Sequence, residues 1–99
     1  MRKIALLCIA GMSTSMLELK MVDAAKKEGY ACEIRAYPLS DLKKIPADVD
    51  IVLLGPQVMY ERDNVEATLG CPTYAITMAE YGAMDGAGVL KKAREVLHD

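Results

Sequence analysis

Lys3-Ile4-Ala5-Leu6-Leu7-Cys8-Ile9-Ala10-Gly11-Met12-Ser13-Thr14-Ser15 sets the architecture of this chain. Lys3 to Cys8 is apolar and nearly continuous, which suits a strand buried on both faces, as in a parallel sheet. Ile9 to Ser13 reads as a short turn. From Ser15 the period becomes helical: Leu17, Met21, Ala24 and Ala25 recur at i, i+4, i+7 and i+8, with Glu18, Lys20, Asp23 and Lys27 between them. Ser15-Met16-Leu17-Glu18 fits a capping box, which predicts a helix start at or just before Ser15. Lys26 and Lys27 suit the last turn, and Gly29 supplies the stop.

The same alternation continues outward. Ala31 to Tyr37 alternates weakly and ends at Pro38, as a second strand would. Leu39 to Pro46 predicts a short helix. Asp50 to Gly55 is another buried strand, halted by Gly55-Pro56. Met59 to Leu69 predicts a helix, and Thr73 to Ile76 a short fourth strand after Cys71-Pro72. Val89, Leu90, Ala93, Val96 and Leu97 form a last helical stripe. An order β-α-β-α-β-α-β-α implies right-handed crossovers and a four-stranded parallel sheet covered on both sides. In such sheets ligands bind beyond the carboxyl ends of the strands.

Composition narrows the function classes. The 99 residues, 53% of them apolar, suffice for one domain spanning 1–99, with no internal repeat or linker. The net charge of −2 offers no clustered cations for nucleic acid, and the aromatic residues are all Tyr, with no Trp or Phe to stack on bases. Cys8, Cys32 and Cys71 are odd in number and match no zinc spacing, so a reducing compartment and no metal are expected. The N-terminal apolar run is short and lacks a clear cleavage site, and no stretch approaches the roughly 20 apolar residues that span a bilayer.

Cys8 to Ser15 runs from a strand end to a helix start. Amides in such a turn point inward and form an anion site, reinforced by the helix dipole. Gly11 gives the backbone latitude, and Ser13, Thr14 and Ser15 add hydroxyls. Thiols at helix N-termini are acidified, and the thiolate is the nucleophile. Nucleophile and phosphate cradle therefore coincide at Cys8. A cysteine at a buried strand end is often only a small core hydrophobe; the adjoining Gly-x-Ser-Thr-Ser turn favours function. Cys32 and Cys71 lack such surroundings and are assigned to packing.

Missing residues exclude competitors. There is no Lys for a nucleotide P-loop, no G-x-G-x-x-G, and Gly11 stands where C-x-x-C needs its second Cys. A cysteine-dependent phosphatase, the alternative function, places Arg six residues after the Cys. Thr14 occupies that position. Without the guanidinium a held phosphoryl group is hydrolysed slowly, as a carrier requires.

Cys8-x-Ala10-Gly11-Met12-Ser13-Thr14-Ser15, Leu53-Leu54-Gly55-Pro56-Gln57 and Tyr81-Gly82-x-x-Asp85-Gly86-x-Gly88-Val89-Leu90, in that order, carry a resemblance. The chain resembles the IIB component of the lactose/cellobiose/chitobiose class of bacterial phosphoenolpyruvate-dependent sugar phosphotransferase systems. The resemblance implies a single parallel sheet, similar to low-molecular-weight tyrosine phosphatases, for which the order 2-1-3-4 is expected. It implies a phosphotransferase in which Cys8 accepts a phosphoryl group from a phosphohistidine of the IIA protein. Cys8 then donates that group to a β-glucoside-type sugar during uptake through the membrane component IIC. Ile9, Ala10, Gly11, Met12, Ser13, Thr14 and Ser15 would bind the phosphoryl oxygens. Ile9 departs from the family pattern, where a small Ser is usual; backbone donation survives this change and a side-chain hydroxyl does not. No cofactor is implied. The expected setting is a cytoplasmic monomer that visits the inner membrane face through IIC.

The remaining candidates have plain alternatives. Gln57 follows strand three and either donates to the phosphoryl group, touches a partner, or merely ends a strand. Tyr81 and Asp85 follow strand four as partner contacts, though Asp85 also suits a helix cap, the reading preferred here. Met12 is expected to be exposed for transient partner contact. Met16, Met21, Met59, Met78 and Met84 are expected to pack, and His98 to be solvated.

Overall fold

The computed structural model describes residues 1–9 and 11–99, and for residues 11–13 the backbone alone. Its strands are β1 (Arg2–Cys8), β2 (Cys32–Pro38), β3 (Ile51–Leu54) and β4 (Thr73–Ala75). They form one parallel sheet in the order β2-β1-β3-β4, as expected. The α-helices are α1 (Gly11–Glu28), α2 (Arg62–Leu69), α3 (Met78–Gly82) and α4 (Gly86–Val96), with 3-10 segments at Leu39–Lys44 and Pro56–Glu61.

Side chains alternate along the two central strands and so divide the core in two. Ile4 and Leu6 of β1, with Ile51 and Leu53 of β3, face Leu17 and Met21 of α1 and Val89, Leu90 and Ala93 of α4. Ala5, Leu7, Val52 and Leu54 face the other way, onto Ile45, Val58 and Val65 of α2. All four residues of β3 are fully buried, which is why the run reads as continuously apolar. Each Leu or Ile so buried contributes about 1.5–3 kcal/mol.

Three expectations need correction. α1 begins at Gly11, about one turn before Ser15. The early start carries Thr14 inside the helix, where it is buried. Ser15 is exposed in the helix rather than at its cap. Second, Met59 to Leu69 is not one helix: the Pro56–Glu61 segment kinks at Val58 before α2 starts at Arg62. Pro56 fixes a tight turn there. Third, α3 was not anticipated. Its capping box is Thr77 with Glu80: the Thr77 hydroxyl accepts from the Glu80 N–H at 3.1 Å, and Glu80 Oε1 accepts from the Thr77 N–H at 3.0 Å.

Three methionines assigned to packing are instead exposed: Met16, Met59 and Met78. Each lies in a segment that leaves the carboxyl end of a strand, outside both apolar clusters. Met21 is fully buried, and Met84 packs partly against the α1–α4 cluster.

Candidate functional site

The carboxyl edge of the sheet gathers the ends of β1 and β3. Cys8 is the last residue of β1, paired in register with Pro38 of β2. Beyond Leu54, Gly55 continues the ladder by donating its N–H to the Leu7 carbonyl at 2.8 Å. Gly55 is thereby fixed beside Cys8. A methyl group placed on Gly55 would lie 3.6 Å from Cys8 Cβ, 3.7 Å from the Leu7 carbonyl oxygen and 3.2 Å from Gln57 Oε1. Cys8 and Gln57 thus flank the same point. Sequence reading took Gly55 as a strand terminator and missed this role; its φ of −61° and ψ of 152° suit any residue, so proximity to Cys8, not backbone angle, is the signal.

Cys8 is 2% exposed, yet it belongs to neither apolar cluster. Its chain leads through Ile9, which is exposed, to the start of α1. The first four N–H groups of a helix have no partner within it; here they belong to residues 11–14. Thr14 is the first described side chain of the helix. It is 2% exposed, and among the described residues its Oγ1 has no hydrogen-bond partner. A buried hydroxyl in that state costs about 1–3 kcal/mol. Thr14 stands where a phosphatase would carry Arg. Ser15 is exposed. Ala10, and the side chains of Gly11, Met12 and Ser13 with the expected exposure of Met12, lie outside the described residues.

Tyr81 and Asp85 sit elsewhere on this side of the sheet. Tyr81, in α3, packs partly against the α1–α4 cluster. Asp85 caps α4, its Oδ1 accepting from the Gly88 N–H at 3.0 Å. The adjacent Gly86 abuts Lys20, and α1 rises 1.5 Å per residue, so this junction is roughly 13 Å along the helix from Gly11. The structure brings Cys8, Thr14, Gly55 and Gln57 to one edge and leaves Asp85 beside the middle of α1.

Cys32 opens β2 and Cys71 precedes β4, both at the amino edge. Burial pushes both thiols up, away from the reactive form. Among the described residues no group of three His, Cys, Asp or Glu comes together as metal ligands, and no helix is long and apolar enough to cross a membrane.

Several exposed apolar side chains lie on segments that follow strand ends. Ile9, Met16, Met59, Tyr60 and Met78 are each more than half exposed. Their segments leave the carboxyl ends of β1, β3 and β4.

Comparison with known proteins gives the family and the fold. Residues 3–92 match the family model described as the lactose/cellobiose-specific IIB subunit of the PTS system. The galactose-specific EIIB component of Lactococcus lactis subsp. cremoris (strain MG1363) is 39% identical over 103 residues, covering 96% of this chain and 95% of that one. The cellobiose-specific EIIB component of Lactococcus lactis subsp. lactis (strain IL1403) matches with the same identity and coverage. The lactose-specific IIB domain from Streptococcus pneumoniae shares the fold, with a TM-score of 0.83 at 18% identity over 96% of both chains.

Proposed function

The chain belongs to the lactose/cellobiose-specific IIB family of sugar phosphotransferase systems, the phosphoryl carriers of sugar uptake, and we propose that Cys8 is the residue that carries the phosphoryl group. Its thiolate attacks the phosphorus of a phosphohistidine on the IIA protein. The S–P bond forms as the N–P bond breaks, and the imidazole keeps the electron pair. In the second step a sugar hydroxyl held by IIC attacks the phosphorus. The S–P electrons return to sulfur, and the hydroxyl proton passes to a base on the acceptor side. The sugar is of the β-glucoside type, in the cellobiose, lactose or chitobiose class.

The observation that carries this is the buried Thr14 hydroxyl in the first turn of α1, which has no hydrogen-bond partner among the described residues. The backbone of residues 9–15, with the hydroxyls of Ser13, Thr14 and Ser15, forms the phosphoryl cradle. The helix N-terminus compensates the oxygens' charge. Thr14 in place of Arg leaves the transition state for attack by water poorly stabilised, so the group is stored rather than hydrolysed. Near-complete burial of Cys8 adds to this by excluding water.

The exposed side chains of Ile9, Met16, Met59, Tyr60 and Met78 serve as the docking face for IIA and IIC in turn; thioethers adapt to unlike partners. Gln57 stands on its inner rim. Tyr81 and Asp85 are the outermost candidates for partner contact, and Asp85 already has a structural task at its cap. The protein works as a monomer in the cytoplasm and reaches the membrane only through IIC. In a reconstituted assay with phosphoenolpyruvate and the upstream proteins, Cys8→Ser will retain its circular dichroism and transfer nothing to sugar. Full transfer by that variant would refute the assignment.

A further inference from the structure

Gly55 poses a question of space. Its backbone angles demand no glycine, yet a methyl group there would press against Gln57 Oε1 at 3.2 Å and stand beside Cys8 Cβ at 3.6 Å. The position is held on two sides: the Gly55 N–H is bonded to the Leu7 carbonyl at 2.8 Å, and the Gly55 carbonyl accepts from the Val58 N–H at 3.0 Å. Pro56 sets φ for the turn between them. Gln57 is therefore presented on a rigid corner, and the missing side chain at residue 55 opens the way from its carboxamide to Cys8. With its oxygen turned toward Gly55, the carboxamide has N–H donors left to offer. Gln57 is itself exposed, while its neighbours Pro56 and Val58 are buried. Solvation alone does not explain why its end group lies back over Gly55.

We infer that Gln57 donates a hydrogen bond directly to the phosphoryl group on Cys8 Sγ, and that Gly55 is the gap through which the two side chains meet. This rests on Cys8 being the carrier residue. Gln57 then forms the wall of the site opposite α1, and it is a neutral donor. A neutral donor stabilises the stored group without supplying the cation that would hasten its loss to water.

The test is an equilibrium, not a rate. The partition of phosphoryl groups between phosphorylated IIA and this protein depends only on the free species. A residue that merely touches IIA changes how fast that partition is reached and leaves its position alone. A hydrogen bond to an anion contributes enough to move it about tenfold or more. Wild type, Gln57→Ala and Gln57→Glu would be equilibrated with phosphorylated IIA, and the phosphorylated fraction of each measured by phosphorus NMR. The expected result is a shift of about tenfold toward IIA in Gln57→Ala, a larger shift in Gln57→Glu, and a moved phosphocysteine resonance in both. Matching thermal unfolding curves would show that the variants fold. An unchanged equilibrium and resonance in both variants, with wild type phosphorylated on Cys8, would overturn the role of Gln57 alone. Failure of wild type to become phosphorylated on Cys8 would overturn both this role and the carrier assignment.

Discussion

At Thr14 a buried hydroxyl has no partner among the described residues. In the unphosphorylated protein that is a net loss of stability. Thr14→Val keeps the side chain's shape and removes the orphaned group. The variant is expected to gain about 1 kcal/mol in urea unfolding while its phosphorylated fraction falls. A stabilised variant with unimpaired phosphorylation would show that Thr14 does not meet the ligand. Opposed effects of this kind are the mark of a group held for function. The position of Cys8 at the end of β1, just before a helix, was legible from the apolar run that ends there and the Ser/Thr-rich stretch that follows. Gly55 was not, because its importance lies in what approaches it from a distant strand, and no local pattern records that approach.

Elements were legible where one period dominated. β1, β3 and α4 follow their apolar patterns closely, because burial on both faces or along one stripe leaves a repeat in the sequence. The start of α1 was misplaced because Ser15-x-x-Glu18 is a valid cap in isolation. What decides between two allowed starts is the tertiary burial of Thr14. The true capping box, Thr77-x-x-Glu80, opens a helix of five residues, too short for a periodic stripe. The junction of α1 and α4 depends on a missing side chain. A methyl on Gly86 would lie 2.4 Å from the Lys20 carbonyl carbon. Gly86→Ala must push the helices apart and is expected to cost about 1–3 kcal/mol, read from the urea midpoint. At the neighbouring cap, Asp85→Ala should lose about 1 kcal/mol and Asp85→Asn very little, since Asn also caps well. Unchanged transfer kinetics in Asp85→Asn would confine Asp85 to the helix end; a raised KM for IIA would place it in the docking face.

Across the whole molecule the two edges of the sheet differ. The carboxyl edge bears Cys8, and exposed apolar side chains lie on segments that follow strand ends. The amino edge is tied by charge: Arg2 donates to both carboxylate oxygens of Asp99, at 2.9 and 3.1 Å, and lies 3.4 Å from Asp50. Tyr30 also bonds Asp99, and Arg94 lies over the Tyr30 ring. The pairing joins residues 2 and 99, a separation no short-range signal reports. Hydrogen bonds from Arg2 and then Tyr30 hold the Asp99 carboxyl below the usual carboxylate range. A depressed folded-state value means stability that is present above the unfolded-state value and lost as pH falls through the folded-state one. Wild type should therefore lose stability below about pH 4, and Asp99→Asn should flatten that part of the urea-midpoint profile. Burial, with the bond to Asp99, pushes the Tyr30 hydroxyl up to about 12. Its contribution has the opposite sign, full below pH 10 and lost as pH rises through about 12. The charged staple thus lies at the edge of the sheet opposite Cys8. The most direct check on the Cys8 edge is peptide-level mass spectrometry of the protein after incubation with phosphoenolpyruvate and the upstream phosphotransferase proteins. One phosphoryl group on the peptide containing Cys8, absent from Cys8→Ser, is the predicted result. A phosphoryl group on any other residue, or none on wild type, would contradict the account.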